Sequence, residues 1–469
     1  MHEPEALSIP GGPRPSTQDC EGWATFWAGQ GQPWRTEPEI DAGRQAELTA
    51  LRNITPDVHE GIYPFKNIKL GRADIEWLLA THENGRGPVD YYDESQRDRV
   101  GLDLRGADLR HAQLQNLPLA RTLADVSWRT WTDLTEGQHR MAAVLLEGAD
   151  LKGAHLEGAS LEYAHMDEAD LRHTHLQDAN LGTTSLQFAY LEEAHLEGAN
   201  LMFANLQNAF LWGTYLGGAN LKEAHLDGAH LNRLVFCNEQ GVGPYVADTL
   251  WGSANLAVVY WSRVKMLGDE YEARQQMRTG QALALVELGF STSYIEAQRR
   301  IQASKVKDRE TRLIEFKLAV RANRQLALAL QAQGLNEEAA RFSYRAQILR
   351  RKLLWQRGPS QFVPYLSSLF LAVLTGYGYR MGRIIVAYAL VNILFASLYY
   401  LFGRFLPTTQ HLDWVQALIM SITAFHGRVF SNTFTLGSPQ SIVTACEAVT
   451  GLIFEGIFIA MLTQKFFGR

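Results

Sequence analysis

Apolar residues recur at every fifth position over much of the first half of this chain. Leu104, Leu109, Leu114 and Leu119 are five apart, and an interruption runs over 121–145. The count resumes at Leu146 and continues through Leu151, Leu156, Leu161, Met166 and Leu171 to Leu231, 18 centres without a break. Two residues before each centre from Leu151 onward stands Ala, or Thr at Thr174, Thr184 and Thr214. Neither standard element accommodates this period. On an α-helix successive centres would rotate by about 140° and scatter round the cylinder. On a strand an odd spacing would send alternate centres to opposite faces. The pattern asks for a backbone that turns a corner every five residues, with leucine and the small residue both inward. Self-similarity at a fixed period is the signature of a solenoid.

The segments EGADL (147–151), EGANL (197–201) and GGANL (217–221) resemble the A(D/N)LXX signature of the pentapeptide-repeat family. That resemblance implies a right-handed quadrilateral β-helix with four pentapeptides per coil. Eighteen repeats would give about 4.5 coils and, at a strand separation of about 4.8 Å, a rod roughly 20 Å long. The register continues beyond Phe236, because Trp251, Leu256 and Trp261 fall on the same count. Such a match speaks for fold and says little about activity, since repeat solenoids serve mostly as binding surfaces.

Either side of the repeat the pattern changes. Residues 1–40 hold six Pro and five Gly among polar residues and are expected to form a disordered or loosely docked arm, with Trp23, Trp27 and Trp34 packing part of it down. Residues 41–100 read as a small helical segment, with amphipathic helices near 41–53 and 72–81; Ile75, Leu78 and Leu79 recur at helical spacing. The β-helix is assigned to 101–262. From 263 to 361 the chain is charged and helical, and 326–349 carries a helix, a turn at Gly334, then Ala339, Phe342 and Ala346 at helical spacing. This pair resembles a tetratricopeptide-type hairpin, although any helical hairpin with a glycine turn, including a plain linker bundle, would read alike.

The last segment, 362–469, has a different solvent. The chain holds 44 Lys/Arg and 50 Asp/Glu, but only six and three of them lie here. Residues 384–402 form a 19-residue stretch without charge, about 28 Å as a helix and enough to cross a bilayer core. Residues 442–463 give a second span. Between them 413–424 is a helical pattern about 18 Å long, too short to cross, and 362–377 reads as an interfacial helix. Arg350, Arg351, Lys352, Arg357, Arg380, Arg383, Lys465 and Arg469 flank the outer ends of the pair, against only Arg404 and Arg428 between the spans. By the positive-inside rule both termini are expected to be cytoplasmic. The opening MHEPEALSIPGG has neither basic flank nor apolar core, so no signal peptide is expected.

Span, half-length re-entrant helix, span: this order resembles the two-transmembrane, potassium-channel-like family, and implies a homo-oligomer, by that family a tetramer, around one pore. A re-entrant segment survives at membrane depth only when buried in protein or lining water. Where the family places a TVGYG-like filter, this chain has Thr423, Ala424, Phe425, His426 and Gly427, followed by Arg428. Gly427 matches the closing glycine. Phe425 replaces the first, where positive φ would cost a bulky residue dear. His426 and Arg428 would put titratable or positive charge at the mouth. These six residues are the candidate filter, or the anchor of a rigid loop in another pore or none. In the second span Glu447, Gly451 and Glu455 share one broad helical face, as pore lining or gate with Gly451 a possible hinge. Alternatively, Glu455 is protonated or hydrogen-bonded to Asn392 or Tyr388. A charge at the bilayer centre costs roughly 2.5–3.5 kcal/mol on insertion scales.

The remaining chemistry excludes more than it assigns. Cys20, Cys237 and Cys446 make no CxxC or zinc spacing, and no GxGxxG, GxSxG, HExxH or Walker-type spacing occurs, so neither an enzyme nor a cofactor is expected. His155, His175 and His195, 20 apart, would stack in a column one coil apart. Such a column is close enough to bind a metal or respond to acid pH, but no carboxylate belongs to it, so a solvated face is expected. Between Leu146 and Phe236 there are 13 Asp/Glu against four Lys/Arg. An acidic rod of that kind resembles the DNA mimics among cytoplasmic pentapeptide proteins, which bind topoisomerases. The leading expectation is a multi-pass protein of a bacterial-type inner (cytoplasmic) membrane: an oligomeric channel for monovalent ions in a lipid bilayer. Its β-helix would sense or bind an unidentified protein, with no nucleic acid bound. A non-conducting membrane-anchored scaffold is the alternative, and the topoisomerase-binding decoy a third.

Overall fold

A computed structural model describes residues 14–125, 135–275, 307, 309–378, 381–405, 411–428, 434 and 437–467. The chain divides into two units, 1–349 and 350–469. Parts of the expected arm (1–13), insertion (126–134) and helical region (276–306), with Arg380 and Arg469, lie outside the described residues.

The five-residue count builds a β-helix of four-sided coils. Each coil of 20 residues pairs with the next through single parallel bridges, such as Asp150 with Asp170, His155 with His175, Ser160 with Asn180 and His165 with Ser185. The leucine centres and their preceding alanines are buried throughout; Ala169, Leu171, Leu181 and Leu186 have no exposed surface. The three threonines that stand in for alanine are also fully buried. Each donates its hydroxyl to a carbonyl of the preceding coil: Thr174 to Leu151 at 3.1 Å, Thr184 to Leu161 at 2.9 Å, Thr214 to Leu191 at 2.7 Å. A buried hydroxyl is tolerated there because its hydrogen bond is supplied by the stack. Corners are made by a residue in the left-handed region two positions after each centre, including Glu168, His173, Asp178 and Thr183 at φ 56–59°. Non-glycine residues bear about 1–2 kcal/mol there, offset by coil-to-coil bonds such as that from the His173 amide to the Glu192 carbonyl at 2.9 Å.

Insertions interrupt the stacking without breaking it. Asp108 bridges Leu145, where an uninterrupted coil would bridge residue 128, and Asn220 bridges Tyr245. Trp251, Leu256 and Trp261 remain inside on the same count.

Both ends of the stack are covered. At the start, α1 (Cys20–Gly29) is followed by α2 (Ala42–Arg52) and α3 (Arg72–Ala80), and the latter two place Leu48, Ile75, Leu78 and Leu79 in one core with Leu104, Leu109 and Leu114. Of the arm expected to be disordered or loosely docked, residues 20–40 pack onto this cap. The Trp27 indole donates to the Glu37 carbonyl at 2.8 Å, and fully buried Glu76 accepts from the amides of Thr36 and Glu37 and from Arg72. After the insertion's α4 (Glu136–Ala142) and, at the rod's far end, α5 (Gly268–Arg274), the helices α6 (Arg309–Ala332) and α7 (Asn336–Arg357) form the hairpin expected around Gly334, at φ 77°. The hairpin seals the second end: Leu326, Leu330 and Phe342 join the rod core, and Phe342 meets Trp261 edge to face at 5.7 Å. Gln333 bonds the Leu256 amide and the Ala254 carbonyl, both at 2.8 Å. End caps of this kind are what a solenoid needs to hide its terminal coils from water.

The second unit holds α8 (Phe362–Leu374), α9 (Met381–Phe405), α10 (Trp414–Phe425) and α11 (Pro439–Phe467). Two stretches, Gly382–Phe405 and Pro439–Thr463, are long and apolar enough to cross a membrane, and each has only 22% of its most apolar window buried. Ile385, Val386, Leu390, Leu394, Val449, Leu452 and Ile459 all stand exposed. A soluble protein's core helix would bury such residues; a continuous exposed apolar surface calls for lipid or further protein.

Candidate functional site

Among the described residues of the second unit, two polar clusters stand out, one sealed and one open. The short helix α10 begins at a capping box, in which the Asp413 amide donates to the Gln416 side chain at 3.1 Å. From there it packs between α9 and α11, burying Ala417, Met420, Ser421, Ala424 and Phe425. Ser421 faces Glu447 of α11, which has no exposed surface. The Ser421 hydroxyl is bonded to one carboxylate oxygen of Glu447 and lies 2.9 Å from the Asn392 carbonyl of α9. The other oxygen accepts from the Tyr399 hydroxyl at 2.8 Å, beside Thr444 at 3.0 Å. Glu447, expected to line or gate a pore, is instead the knot tying the three helices. Its carboxylate is satisfied inside the protomer, as a buried acid must be. Tyr399 and Ser421 were not visible as partners in the sequence, because their meeting depends on how α10 folds back.

One turn further along lies the open cluster. His426 Nδ1 is 2.6 Å from Glu455, and its Nε2 is 3.2 Å from the Tyr388 hydroxyl. Both side chains of the ion pair are nearly half exposed, at 43% and 45%. Tyr388, His426 and Glu455 share a cleft of about 220 Å³ with Ile384, Phe425, Phe454 and other apolar residues. Glu455 therefore pairs neither with Asn392 nor directly with Tyr388; His426 stands between. Asn392 turns its amide to the Tyr388 carbonyl of its own helix.

The candidate filter takes a different form from the one expected. Thr423, Ala424 and Phe425 are the last turn of α10, and Phe425 keeps negative φ with its side chain 1% exposed. His426 is the C-cap and Gly427 follows at φ 68°. The Arg428 amide donates to the Thr423 carbonyl and the Gly427 amide to Ala424, each at 2.9 Å. This is a Schellman motif, in which the αL glycine lets the chain turn back and satisfy the helix's last carbonyls. Carbonyls spent in that way are not arrayed to replace an ion's water shell. Gly427 is a helix stop, which explains why the sequence has glycine there and tolerates Phe425 two residues earlier. Arg428 is exposed.

Gly451 has a packing role. A Cβ at this position would overlap the Phe425 carbonyl oxygen and lie 2.7 Å from its carbonyl carbon. α11 runs helical through it, so the glycine admits close approach of α10 rather than forming a hinge.

Comparison with known proteins bears on the rod. Residues 140–178, 149–187, 179–218 and 199–236 match the family described as pentapeptide repeats. No curated protein matches the chain. Solved structures similar to it include the pentapeptide repeat protein Rfr23 of the cyanobacterium Cyanothece 51142, 28% identical, covering 31% of this chain and 90% of that one with a TM-score of 0.13. HetL of Nostoc, a pentapeptide repeat protein involved in heterocyst differentiation regulation, is 18% identical over 40% of this chain and 95% of its own, TM-score 0.16. A thylakoid-lumen pentapeptide repeat protein of Arabidopsis thaliana is 24% identical over 30% and 74%, TM-score 0.13. The region 140–236 thus consists of pentapeptide repeats.

Proposed function

We propose that this is a multi-pass protein of a cytoplasmic-type membrane whose apolar units assemble, as a tetramer by the channel-like resemblance, around a water-filled path for monovalent ions, with the β-helix as a protein-binding or sensing module. The observation that carries the reading is the His426–Glu455 pair, half exposed amid apolar helix surface. An ionisable group in hydrocarbon costs roughly 2.5–3.5 kcal/mol on insertion scales, and such groups face a partner or a water-filled cavity. Neighbouring copies that turn this face inward would supply both. In this reading Tyr388, His426 and Glu455 replace backbone carbonyls as the selecting groups, so the channel would differ in kind from a potassium filter. Both termini would lie on the basic, cytoplasmic side.

A second reading has a specific observation behind it: with the Thr423 and Ala424 carbonyls capped and Glu447 sealed, the unit would serve equally as a non-conducting anchor for the rod. Purified protein reconstituted into lipid vesicles separates the two. The channel reading expects flux of monovalent ions, with Glu455→Gln and His426→Ala changing selectivity or pH dependence. Vesicles that stay tight while mass measurement finds oligomers would leave the scaffold. A monomer in detergent and in vesicles would overturn the pore altogether.

A further inference from the structure

One flank of the β-helix carries a ladder of histidines beside a buried acid, Glu157. His155, His175 and His195 stack ring on ring, with centroids 4.5 and 5.3 Å apart and planes within 4°. The expectation that no carboxylate joins them does not hold. Glu157, two residues after His155, is only 1% exposed, with Oε1 2.9 Å from His155 Nδ1 and 4.0 Å from His175 Nδ1. The segment around Tyr91 lies over this flank: the Tyr91 hydroxyl donates to Asp178 at 2.6 Å, and its ring packs against Gly158, the residue after Glu157.

The hydrogen bonding of this group is incomplete. Among the described residues Glu157 Oε2 and His175 Nδ1 are buried without a partner, and so is the amide oxygen of Gln177, the next residue up the Glu157 column. A buried carboxylate costs several kcal/mol unless a counter-charge and hydrogen bonds complete it. A protonated His155 would answer Oε1 alone, leaving Oε2 and the His175 nitrogen unmet. We propose that His155, Glu157 and His175 are the protein ligands of a divalent transition-metal site of the zinc type on the side of the β-helix.

One ligand atom from each of the three lies within 4.8 Å of the others. Zinc holds nitrogen and oxygen ligands at about 2.0–2.2 Å, which puts them roughly 3.5 Å from one another. Metal uptake therefore draws the widest ligand pair in by about an ångström and opens the His155–Glu157 pair from 2.9 Å. The imidazoles can do this by side-chain rotation, since their side chains are 47% and 34% exposed, while the bridge between His155 and His175 fixes the backbone. Two imidazoles and a carboxylate select zinc, cobalt or nickel over calcium and magnesium, which prefer all-oxygen shells. Three protein ligands leave a fourth position for water or for a donor from a bound partner.

The test uses tag-free, full-length protein in detergent, stripped with chelator and titrated with Co²⁺. One equivalent should bind with visible d–d absorption, be displaced by Zn²⁺, and raise the melting temperature as a ligand of the folded state must. Glu157→Gln and His175→Gln should each weaken Co²⁺ binding by about ten-fold or more and abolish the Zn²⁺-dependent shift, whereas His225→Gln, elsewhere on the rod, should change neither. Should Glu157→Gln fail to fold, His175→Gln, at a side chain one-third exposed, carries the test alone. Absence of uptake by the wild type, or equal uptake by wild type and His175→Gln, would overturn the site and leave an ordinary His155–Glu157 ion pair.

Discussion

Replacing Gly451 with alanine distinguishes a hinge from a packing contact by the sign of the effect. In the interior of a helix, Gly→Ala stabilises by about 0.5–1 kcal/mol, because the glycine surrenders more backbone freedom on folding. A glycine retained for bending would gain that amount when replaced, and the unit would become more stable. Here the added methyl meets the Phe425 carbonyl group, with its carbon at 2.7 Å and its Cα at 3.2 Å. This is backbone held by the Schellman turn and cannot rotate aside. Relief requires α10 and α11 to separate, which pulls Ser421 from Glu447 at the same interface. Overpacking of this kind costs about 1–3 kcal/mol, so the net expectation is a destabilisation of about 1–2 kcal/mol. The assay is unfolding of the full chain in detergent, followed by the helical far-ultraviolet signal and by retention of the oligomer. Gly451→Ala protein that melts at or above the wild-type temperature, with its oligomer intact, would refute the close-approach account.

Two further outcomes follow from the rod. Phe342→Ala should cost about 3–5 kcal/mol and lower the melting temperature of the β-helix itself, measured by tryptophan emission; a hairpin that merely links would leave the rod's transition where it is. Burial, together with Asp125, pushes Glu162 up to about 9, and burial pushes Asp125 up to about 7. Their folded forms hold protons that an unfolded chain gives up near pH 4, so these groups take stability away as pH rises from about 5 towards 9. The difference in melting temperature between Glu162→Gln and wild type should therefore grow in favour of the variant across that window, and a difference that shrinks or reverses would contradict the burial of this pair.

Local period and long-range contact were not equally legible in the sequence. The rod was readable because every fifth residue repeats one physical demand, and even its departures from alanine are explained one coil away by the threonine hydroxyls. The two long apolar helices were readable for the same reason: composition over a span is a local property. The end caps were not, because the 326–349 hairpin looks the same whether it stacks on another hairpin or on Trp261. The burial of Glu157 was not readable either, because nothing near it in sequence announces that residues 91–92 fold over it, some 65 positions earlier. Burial supplied by a distant segment leaves no local trace.

The glycines of the second unit extend the same distinction to function. Gly427 carried the likeness to an ion filter, yet its positive φ closes a helix, and that closure consumes the Thr423 and Ala424 carbonyls a filter would have presented. Gly451 looked like a hinge, yet it lets the end of that same helix press against α11. Together they hold α10 so that His426, the first residue past its last turn, reaches Glu455. The glycines thus fix the position of a His–Glu pair left open on an apolar surface. In the proposed channel, selection would then fall to the side chains there, which is why substitutions at His426 and Glu455, rather than at Thr423, are the ones that test that proposal.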